Sequence, residues 1–283
     1  MQKLLNSKYF LLLAFPVITG SFITATPSLA GTFAFSEAGF RFDNFSVSPK
    51  DIETFADTNT QAISFSSQGK ANADAEANAD FTSIPNLPLS FANNLSSSIA
   101  IGQGKDYFGS AESFASVTGY NFQVAPEGIF SFDFMGFLDL QALADDPTTE
   151  YAGADGVISL QLYDQDNGVL LDSLSIQGNT ATSNNLNFLT HNKTNNFSFI
   201  PTATSFDTKF NGINKYANAD VKGYYSRKFA AGANLSLFEL KNNRVRVVVP
   251  EPTSQLALVF GAISILLITK TKSKLLHNKT TII

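Results

Sequence analysis

The sequence predicts an all-β protein: a single β-sandwich domain of jelly-roll type, preceded by a signal-peptide helix and followed by a transmembrane helix. Three observations predict the fold class. The 283-residue chain contains 27 Phe and 8 Tyr but no Trp, and aromatic side chains favour strands. Apolar and polar residues alternate over long segments, which is the period of a strand with one face on a core. Ser, Asn, Asp and Gly fill the intervening segments and favour turns, and many strands joined by polar turns favour a sandwich.

The first segments with a strand pattern consist mostly of small residues. Residues 70–80, KANADAEANAD, alternate Ala with Asn, Asp or Glu, and ANAD recurs at residues 217–220. Alanine favours a helix but Asn and Asp oppose it, so the alternation predicts a strand with one face of methyl groups. Residues 109–122 are also rich in small side chains. We expect these segments to be paired strands of one sheet.

The most regular alternation lies in residues 128–144, GIFSFDFMGFLDLQALA, where the even positions are apolar or small and most odd positions are polar. This period predicts a half-buried strand, with Gly136 at a bend or bulge. Residues 156–163 predict a second strand of the same kind, and DQDNG at residues 164–168 predicts a turn that returns the chain into a third strand.

The last strand-like segment precedes the C-terminal tail. Residues 235–249, LSLFELKNNRVRVVV, contain two apolar runs separated by Asn242 and Asn243. Asparagine pairs favour tight turns, so this segment predicts another hairpin with its turn at these two residues.

The N-terminus has the parts of a secretory signal peptide. Lys3 and Lys8 precede an apolar run, and the small residues Ser28 and Ala30 stand two apart immediately before Gly31. This order predicts residues 1–30 as a signal peptide that is cleaved after Ala30. The alternative is an uncleaved membrane anchor, which the proline and glycine within the apolar run disfavour.

A second apolar segment lies near the C-terminus. Residues 253–269 contain no charged residue and are followed by a cluster of basic residues. Seventeen residues are at the lower limit for a helix that crosses a bilayer. The lysines that predict a cytoplasmic tail are Lys270, Lys272 and Lys274. The alternative, a helix buried in the core, is disfavoured because the segment is apolar on every face.

Immediately before this segment stands the sequence VPEP, formed by Val249, Pro250, Glu251 and Pro252. Together with the short membrane helix, the basic cluster and the signal peptide, it resembles the PEP-CTERM sorting signal of Gram-negative bacteria. The resemblance implies a sorting tail at residues 249–283, recognition by an exosortase-like processing enzyme in the inner membrane, and delivery to the cell surface or the exopolysaccharide matrix. Two features depart from the family pattern: lysine replaces the usual arginine, and nine residues follow Lys274.

The chemistry of the motif is consistent with a processing site. Proline fixes its own φ and restricts the residue before it, so two prolines around Glu251 keep the segment extended. An extended strip next to a membrane gives a protease access to the backbone. A stiff spacer between the domain and the membrane would use the same chemistry, and this alternative stays open.

The sequence contains no recognisable catalytic constellation. It has no Cys, which excludes disulfides, thiol catalysis and thiolate metal sites, and its histidines are His191, in a segment that we interpret as a polar loop, and His277 in the tail. A single histidine in the exported part supports no common zinc site. A serine triad through His191 would lack the nucleophile-elbow pattern, and no pair of carboxylates stands out as a glycosidase pair.

The best candidate ligand site in the exported part is the turn that contains Asp164 and Asp166. Alternate aspartates with Asn167 offer the hard oxygen ligands that Ca²⁺ prefers. The glutamate that closes an EF-hand loop is absent, and Asn167–Gly168 by itself favours a hairpin turn. Calcium is therefore the one cofactor that the sequence suggests, with an ordinary turn as the alternative.

Charge is unevenly distributed along the exported part. Residues 106–192 contain 12 acidic residues and no Lys or Arg, whereas residues 193–246 contain 9 basic and 3 acidic residues. The acidic block argues against a nucleic-acid partner, because phosphates would be repelled. The simplest explanation of the asymmetry is that the two regions face each other in the fold or that their charges are solvated.

These observations predict an exported, non-enzymatic protein in three parts: the signal peptide, an all-β domain at residues 31–248, and the sorting tail. The expected role of the domain is structural or adhesive, at the cell surface or in an exopolysaccharide matrix. A carbohydrate-binding module is the alternative, with tyrosines in place of Trp as aromatic platforms, and a secreted glycan hydrolase is a weaker one. The candidate platform tyrosines are Tyr107, Tyr120, Tyr151, Tyr163, Tyr216, Tyr224 and Tyr225.

Overall fold

The computed structural model describes residues 31–83, 90–182 and 187–250. In these ranges the chain forms thirteen strands and a single 3₁₀ turn, Pro201–Ala203, so the all-β prediction is confirmed. No helix in this part of the chain is long and apolar enough to cross a membrane. The strands are β1 (Gly31–Asp43), β2 (Asp51–Ser64), β3 (Gly69–Ser83), β4 (Ser90–Gly104), β5 (Tyr107–Val124), β6 (Ile129–Ala144), β7 (Tyr151–Asp164), β8 (Val169–Ala181), β9 (Phe188–Lys193), β10 (Phe197–Phe199), β11 (Ser205–Lys209), β12 (Asn214–Lys228) and β13 (Ala233–Val249).

The strands form two antiparallel sheets that pack face to face. The first sheet has the order β10-β12-β6-β1-β4-β3, with β11 also paired to β12, and the second has the order β2-β5-β13-β7-β8-β9. Strand β1 lies over β13 and β7, and β4 lies over β5 and β13. The β-sandwich prediction is confirmed, although the sandwich has more strands than the two Greek keys of a jelly roll supply.

A cluster of aromatic rings fills one end of the interior, which we call the distal end. It includes Phe132, whose ring centroid lies 5.0 Å from that of Tyr225 and 5.4 Å from that of Phe45. Phe122 and Phe130 pack edge to face at 5.0 Å. Phe130, Phe132 and Phe134 are all inward-facing residues of β6, so the predicted strand at residues 128–144 has its apolar face on the core.

The predicted bend or bulge at Gly136 is wrong. The pairing of β6 with β1 and with β12 continues through Gly136 without a shift of register. A Cβ atom at this position would lie 2.5 Å from the ring of Phe40. Glycine is therefore present because the ring of Phe40 occupies the space of a side chain, and the strand does not need to bend there.

The opposite end of the interior, which we call the proximal end, is filled mainly by small residues. The alternating segment at residues 70–80 is strand β3, as predicted, with its alanines half-buried and its polar residues exposed. The expected pairing with residues 109–122 is wrong, because β3 lies in the first sheet and β5 in the second. A Cβ atom at Gly109 of β5 would lie 3.5 Å from the carbonyl oxygen of Asn72 and 3.7 Å from Cβ of Ala100. The small faces therefore oppose each other across the sandwich and allow the sheets to approach closely.

Between these two regions the interior is polar, and here the predicted turn at Asn242 and Asn243 is wrong. Strand β13 continues through both residues as a central strand, paired with β5 and β7. Asn243 is buried; its Oδ1 accepts a hydrogen bond from Ser36 Oγ at 2.7 Å, and its Nδ2 donates to the Ser96 carbonyl oxygen at 2.9 Å. These partners from the opposite sheet satisfy the amide in the interior, so the asparagine does not need the turn that it favours locally.

The aromatic cluster should contribute a large share of the stability. We expect Phe132→Ala to lower the free energy of unfolding by about 3–5 kcal/mol, because the ring is 1% exposed and its removal leaves a cavity. Phe65→Ala is the matched control, since Phe65 is 60% exposed, and it should change the same quantity by less than about 0.5 kcal/mol. Urea unfolding of the β-sandwich domain measures the free energy of unfolding of both variants. Equal losses in the two variants would contradict this account of the core.

Candidate functional site

Both ends of the β-sandwich domain lie at the proximal end of the sandwich. The backbone nitrogen of Gly31 donates to Asp145 Oδ2 at 2.9 Å, and the hydroxyl groups of Thr32 and Tyr107 are 2.8 Å apart. Val249, the last residue of β13, pairs with Tyr107. The segments before Gly31 and after residue 250 are therefore attached to the same end of the fold.

A shallow depression of about 370 Å³ lies beside the end of β13. One of its walls is the connection between β6 and β7, in which Asp146 Oδ1 accepts from Thr148 Oγ1 at 2.5 Å and Asp146 Oδ2 accepts from Thr149 Oγ1 at 2.9 Å. These hydrogen bonds lower the pKa of Asp146. The depression is lined by Pro147, Thr148, Thr149, Glu150, Tyr151, Arg246, Val248 and Pro250. The predicted processing motif thus starts at the rim of an open, partly polar surface.

The structure describes two residues of the predicted motif. Val249 is 8% exposed and belongs to β13, whereas Pro250 is exposed and follows the strand. Proline has no backbone N–H to donate to a ladder, which accounts for the end of the strand at this point. The domain boundary predicted after residue 248 thus falls one residue inside the strand. The other predicted site residues, Ala30, Glu251, Pro252, Lys270, Lys272 and Lys274, lie outside the described residues, as do the predicted signal-peptide and transmembrane helices.

Asp164 and Asp166 lie at the distal end, in the hairpin turn between β7 and β8. Asp164 Oδ1 accepts from the backbone nitrogen of Asp166 at 3.1 Å, and its Oδ2 accepts from Asn167 Nδ2 at 2.8 Å. Gly168 has a φ of 65°, a left-handed conformation that favours glycine. The predicted turn is confirmed, and its aspartate caps the turn backbone. No group of three or more potential metal ligands occurs in the described ranges, and the calcium site stays a prediction.

The sequence suggested that His191 lies in a loop. In the structure it lies in the edge strand β9, which pairs with β8. The aromatic neighbours of its ring explain the difference. The imidazole stacks on the ring of Phe206 with the centroids 4.5 Å apart, and it packs against Phe199 at 5.5 Å. These contacts give His191 a packing role on this edge of the sandwich.

The candidate platform tyrosines are divided between the core and several surfaces. Tyr107 and Tyr225 are fully buried, and Tyr225 donates its hydroxyl hydrogen to Asp172 Oδ2 at 2.8 Å. Tyr120 and Tyr163 lie on the outer face of the second sheet, on either side of Phe238. Their rings stand at 90° and 87° to the ring of Phe238, so these three side chains form a row of crossed rings and not a flat platform. Tyr224 is 48% exposed on the first sheet.

The outer face of the first sheet brings together carboxylates that are distant in sequence. Glu37 of β1 pairs directly with Asp139 of β6, and Glu76 of β3 follows beyond a single intervening residue of β4. Burial, followed by the negative charges of Asp139 and Glu76, raises the pKa of Glu37 to about 7. Sequence reasoning missed this pair because no local pattern signals it. The pair lies on an open sheet face.

The acidic and basic regions of the chain meet in the fold, as expected. Three ion pairs connect them: Arg227 with Asp172 at 2.8 Å, Lys228 with Glu127 at 2.6 Å, and Arg244 with Asp155 at 3.0 Å. Asp172 is the most buried of these carboxylates. Burial raises its pKa, but hydrogen bonds from Arg227, Thr194, Tyr225 and Asn196 outweigh that effect and lower it overall. Part of the charge asymmetry of the sequence is thus an internal pairing of strands.

The carboxylate pair on the first sheet predicts a pH dependence of stability. The pKa of Glu37 is higher in the folded chain than its ordinary value of 4.5. The contribution of Glu37 to the free energy of unfolding is therefore fully present below pH 4.5 and is lost as the pH rises through about 7. We expect Glu37→Gln to raise the free energy of unfolding at pH above 7 by about 1–2 kcal/mol, a value discounted for partial exposure. Glu112→Gln, on the outer face of the other sheet, should leave the change in the free energy of unfolding with pH as it is in the wild-type domain. A Glu37→Gln domain with the wild-type pH profile would contradict the assignment.

The calcium prediction is tested by thermal unfolding. If the 164–168 turn binds Ca²⁺, millimolar Ca²⁺ should raise the Tm of the exported domain, because a ligand of the folded state stabilises that state. Asp164→Asn combined with Asp166→Asn should abolish the rise. Mg²⁺ at the same concentration serves as the control for ionic strength. An unchanged Tm in the wild-type domain would leave the turn as an ordinary hairpin.

No protein-family model, no curated protein and no solved structure matches this chain. The function proposed below therefore rests on the sequence signals at the two chain ends and on the geometry of the sandwich.

Proposed function

We propose that this protein is exported and sorted by its PEP-CTERM-like tail, and that its β-sandwich has a structural or adhesive role at the cell surface or in an exopolysaccharide matrix. The proposal rests on one observation, which is the order of the predicted signals at the two ends of the chain. A signal peptide, VPEP, a short apolar segment and a lysine cluster occur in one chain in the order that export and sorting require.

The position of the chain ends supports this proposal. Because Gly31 and Val249 both lie at the proximal end, a precursor held by residues 253–269 would have this end toward the membrane. The distal end, with the 164–168 turn, would point away from it. Both outer sheet faces would then be accessible to matrix components while the tail is still attached.

The tail has a separate part for each step of this route. Residues 253–269 anchor the precursor in the inner membrane, and Lys270, Lys272 and Lys274 hold the C-terminus in the cytoplasm. An exosortase-like enzyme then recognises Pro250–Pro252 and removes the tail. Val249 is held in the β13 ladder, so the accessible substrate begins at Pro250.

Glycan binding is the alternative proposal, and one observation favours it. Tyr120, Phe238 and Tyr163 lie side by side on the outer face of the second sheet, next to the polar groups of Glu53 and Gln161. Aromatic rings next to hydrogen-bonding groups suit the faces and hydroxyls of a sugar. A glycan hydrolase is the weaker alternative; Glu37 and Asp139 would be its carboxylate pair, on a face that forms no cleft around them.

The sorting signal is tested by a change of charge at one position. Glu251→Gln keeps the size and the backbone preference of the side chain and removes its charge. If an enzyme binds this carboxylate, we expect full-length precursor to accumulate in the inner membrane, because a hydrogen bond to a charged group contributes about 1.5–3 kcal/mol. Mass spectrometry of membrane and secreted fractions from the native host measures the precursor and the mature form.

Glu127→Gln is the matched control, because it removes one charge from an exposed turn at the distal end. It should leave processing unchanged. A stiff spacer would tolerate Glu251→Gln equally well. Wild-type protein that retains residues 253–283 in a host producing an exosortase would overturn the sorting proposal and leave the tail as an anchor.

A further inference from the structure

A lysine, a glutamate and an asparagine meet in the polar middle of the sandwich. Lys241 and Glu239 are inward-facing residues of β13, the central strand of the second sheet, and their side chains are 0% exposed. Asn94 projects from β4 of the first sheet and is 1% exposed. These three side chains therefore lie between the sheets, away from bulk water.

The Glu239 carboxyl group contacts both of the other side chains. Its Oε1 lies 2.5 Å from Lys241 Nζ, and its Oε2 accepts a hydrogen bond from Asn94 Nδ2. Asn94 Oδ1 is buried and has no hydrogen-bond partner among the described residues. One carboxyl group thus holds a primary amine and a side-chain amide next to each other, and the amide carbonyl is left without a partner.

Burial shifts this ion pair toward its uncharged forms. Burial raises the pKa of Glu239 and lowers the pKa of Lys241, and their mutual attraction opposes both shifts. Removing two charges from water is costly, so transfer of the proton from Lys241 to Glu239 relieves that cost. An uncharged lysine amine is a nucleophile, and a protonated carboxyl group is an acid catalyst.

We propose that Lys241 and Asn94 form an isopeptide bond in the folded domain, with Glu239 as the acid–base catalyst. The arrangement supplies the groups that the reaction requires: a buried amine, a buried amide, and a carboxyl group that touches both. Folding supplies the proximity, since residues on strands of opposite sheets are held together without further loss of entropy.

The reaction balances without any co-reactant. A half-turn of the amide brings Oδ1 against protonated Glu239, which donates its proton to Oδ1 while Nζ of Lys241 attacks Cγ of Asn94. The Glu239 carboxylate then takes a proton from Nζ and passes it to Nδ2. The Cγ–Nδ2 bond breaks, ammonia leaves, and the hydroxyl proton of the intermediate returns to Glu239. One C–N bond forms, one breaks, and nothing is oxidised or reduced.

The product would join the two sheets covalently in a chain that has no cysteine. Exported proteins often use disulfides for such a link. An amide bond between β4 and β13 closes a long loop of chain and, unlike a disulfide, is insensitive to reductants. The link lies in the middle of the sandwich, where it would resist separation of the sheets under load.

The intact mass of the purified exported domain tests the proposal. We expect a mass below that of the sequence by one ammonia. A succinimide at an Asn–Gly turn would remove the same mass, so trypsin digestion is the deciding step. Cleavage after Lys241 should be lost, and residues 71–105 should appear joined to residues 229–244 in one branched peptide. A folded wild-type domain that is cleaved after Lys241 and yields residues 71–105 and 229–241 only as separate, unmodified peptides overturns the proposal.

Variants assign the roles of the three residues. Lys241→Met should abolish the branched peptide, and Glu239→Gln should abolish it or slow its formation at least tenfold. Lys215→Met is the matched control, because Lys215 is also buried but its Nζ donates to the carbonyl oxygens of Ala181 and Thr182; the cross-link should persist. Asn94→Asp should lose water instead of ammonia. Circular dichroism confirms that each variant is folded, and a Glu239→Gln domain that cross-links at the wild-type rate would remove Glu239 from the mechanism.

Discussion

The polar layer in the middle of the sandwich is the constraint on which the rest of the structure depends. Serines of the opposite sheet satisfy the side chain of Asn243, and Glu239 bridges Lys241 on its own strand and Asn94 across the interior. A buried polar group without a partner costs free energy. The two sheets therefore have one favourable alignment, because any displacement of β13 along its axis would break these contacts together. Apolar packing alone would be more tolerant of such a displacement.

The regions on either side of this layer follow from that alignment. Toward the proximal end, Ala100 and Gly109 face each other at close range, and Tyr107 occupies the space that a side chain at Gly102 would need. Toward the distal end the interior is filled by aromatic rings such as Phe132 and Tyr225. Small residues set the distance between the sheets at one end, and rings fill the volume at the other. The aromatic end supplies large buried apolar side chains, whereas the polar layer supplies specificity.

The same fold organises the surfaces on which function depends. Because β1 begins and β13 ends at the proximal end, the proposed export, anchoring and processing would all act through one end of the domain. The two outer sheet faces differ in chemistry: one carries the carboxylates around Glu37 and Asp139, and the other carries the crossed rings around Phe238. In the proposed envelope or matrix setting, the domain would have a tethered end and two different exposed faces. The proposed cross-link would strengthen the interior between those faces.

The sequence by itself determined the all-β class, the strands at residues 70–80, 128–144 and 156–163, and the turn at Asp164, and it predicted the export and sorting signals at the chain ends. These depend on alternation, turn chemistry and charge order, all of which are local. Only the tertiary structure decided that Asn243 is buried in a central strand, that β3 and β5 belong to different sheets, and that Gly136 accommodates the Phe40 ring. It also decided that Glu37 meets Asp139 and that Glu239 meets both Asn94 and Lys241. The local sequence permits several environments for an asparagine, a glycine or a carboxylate. Residues far away in the sequence determine which of these environments occurs.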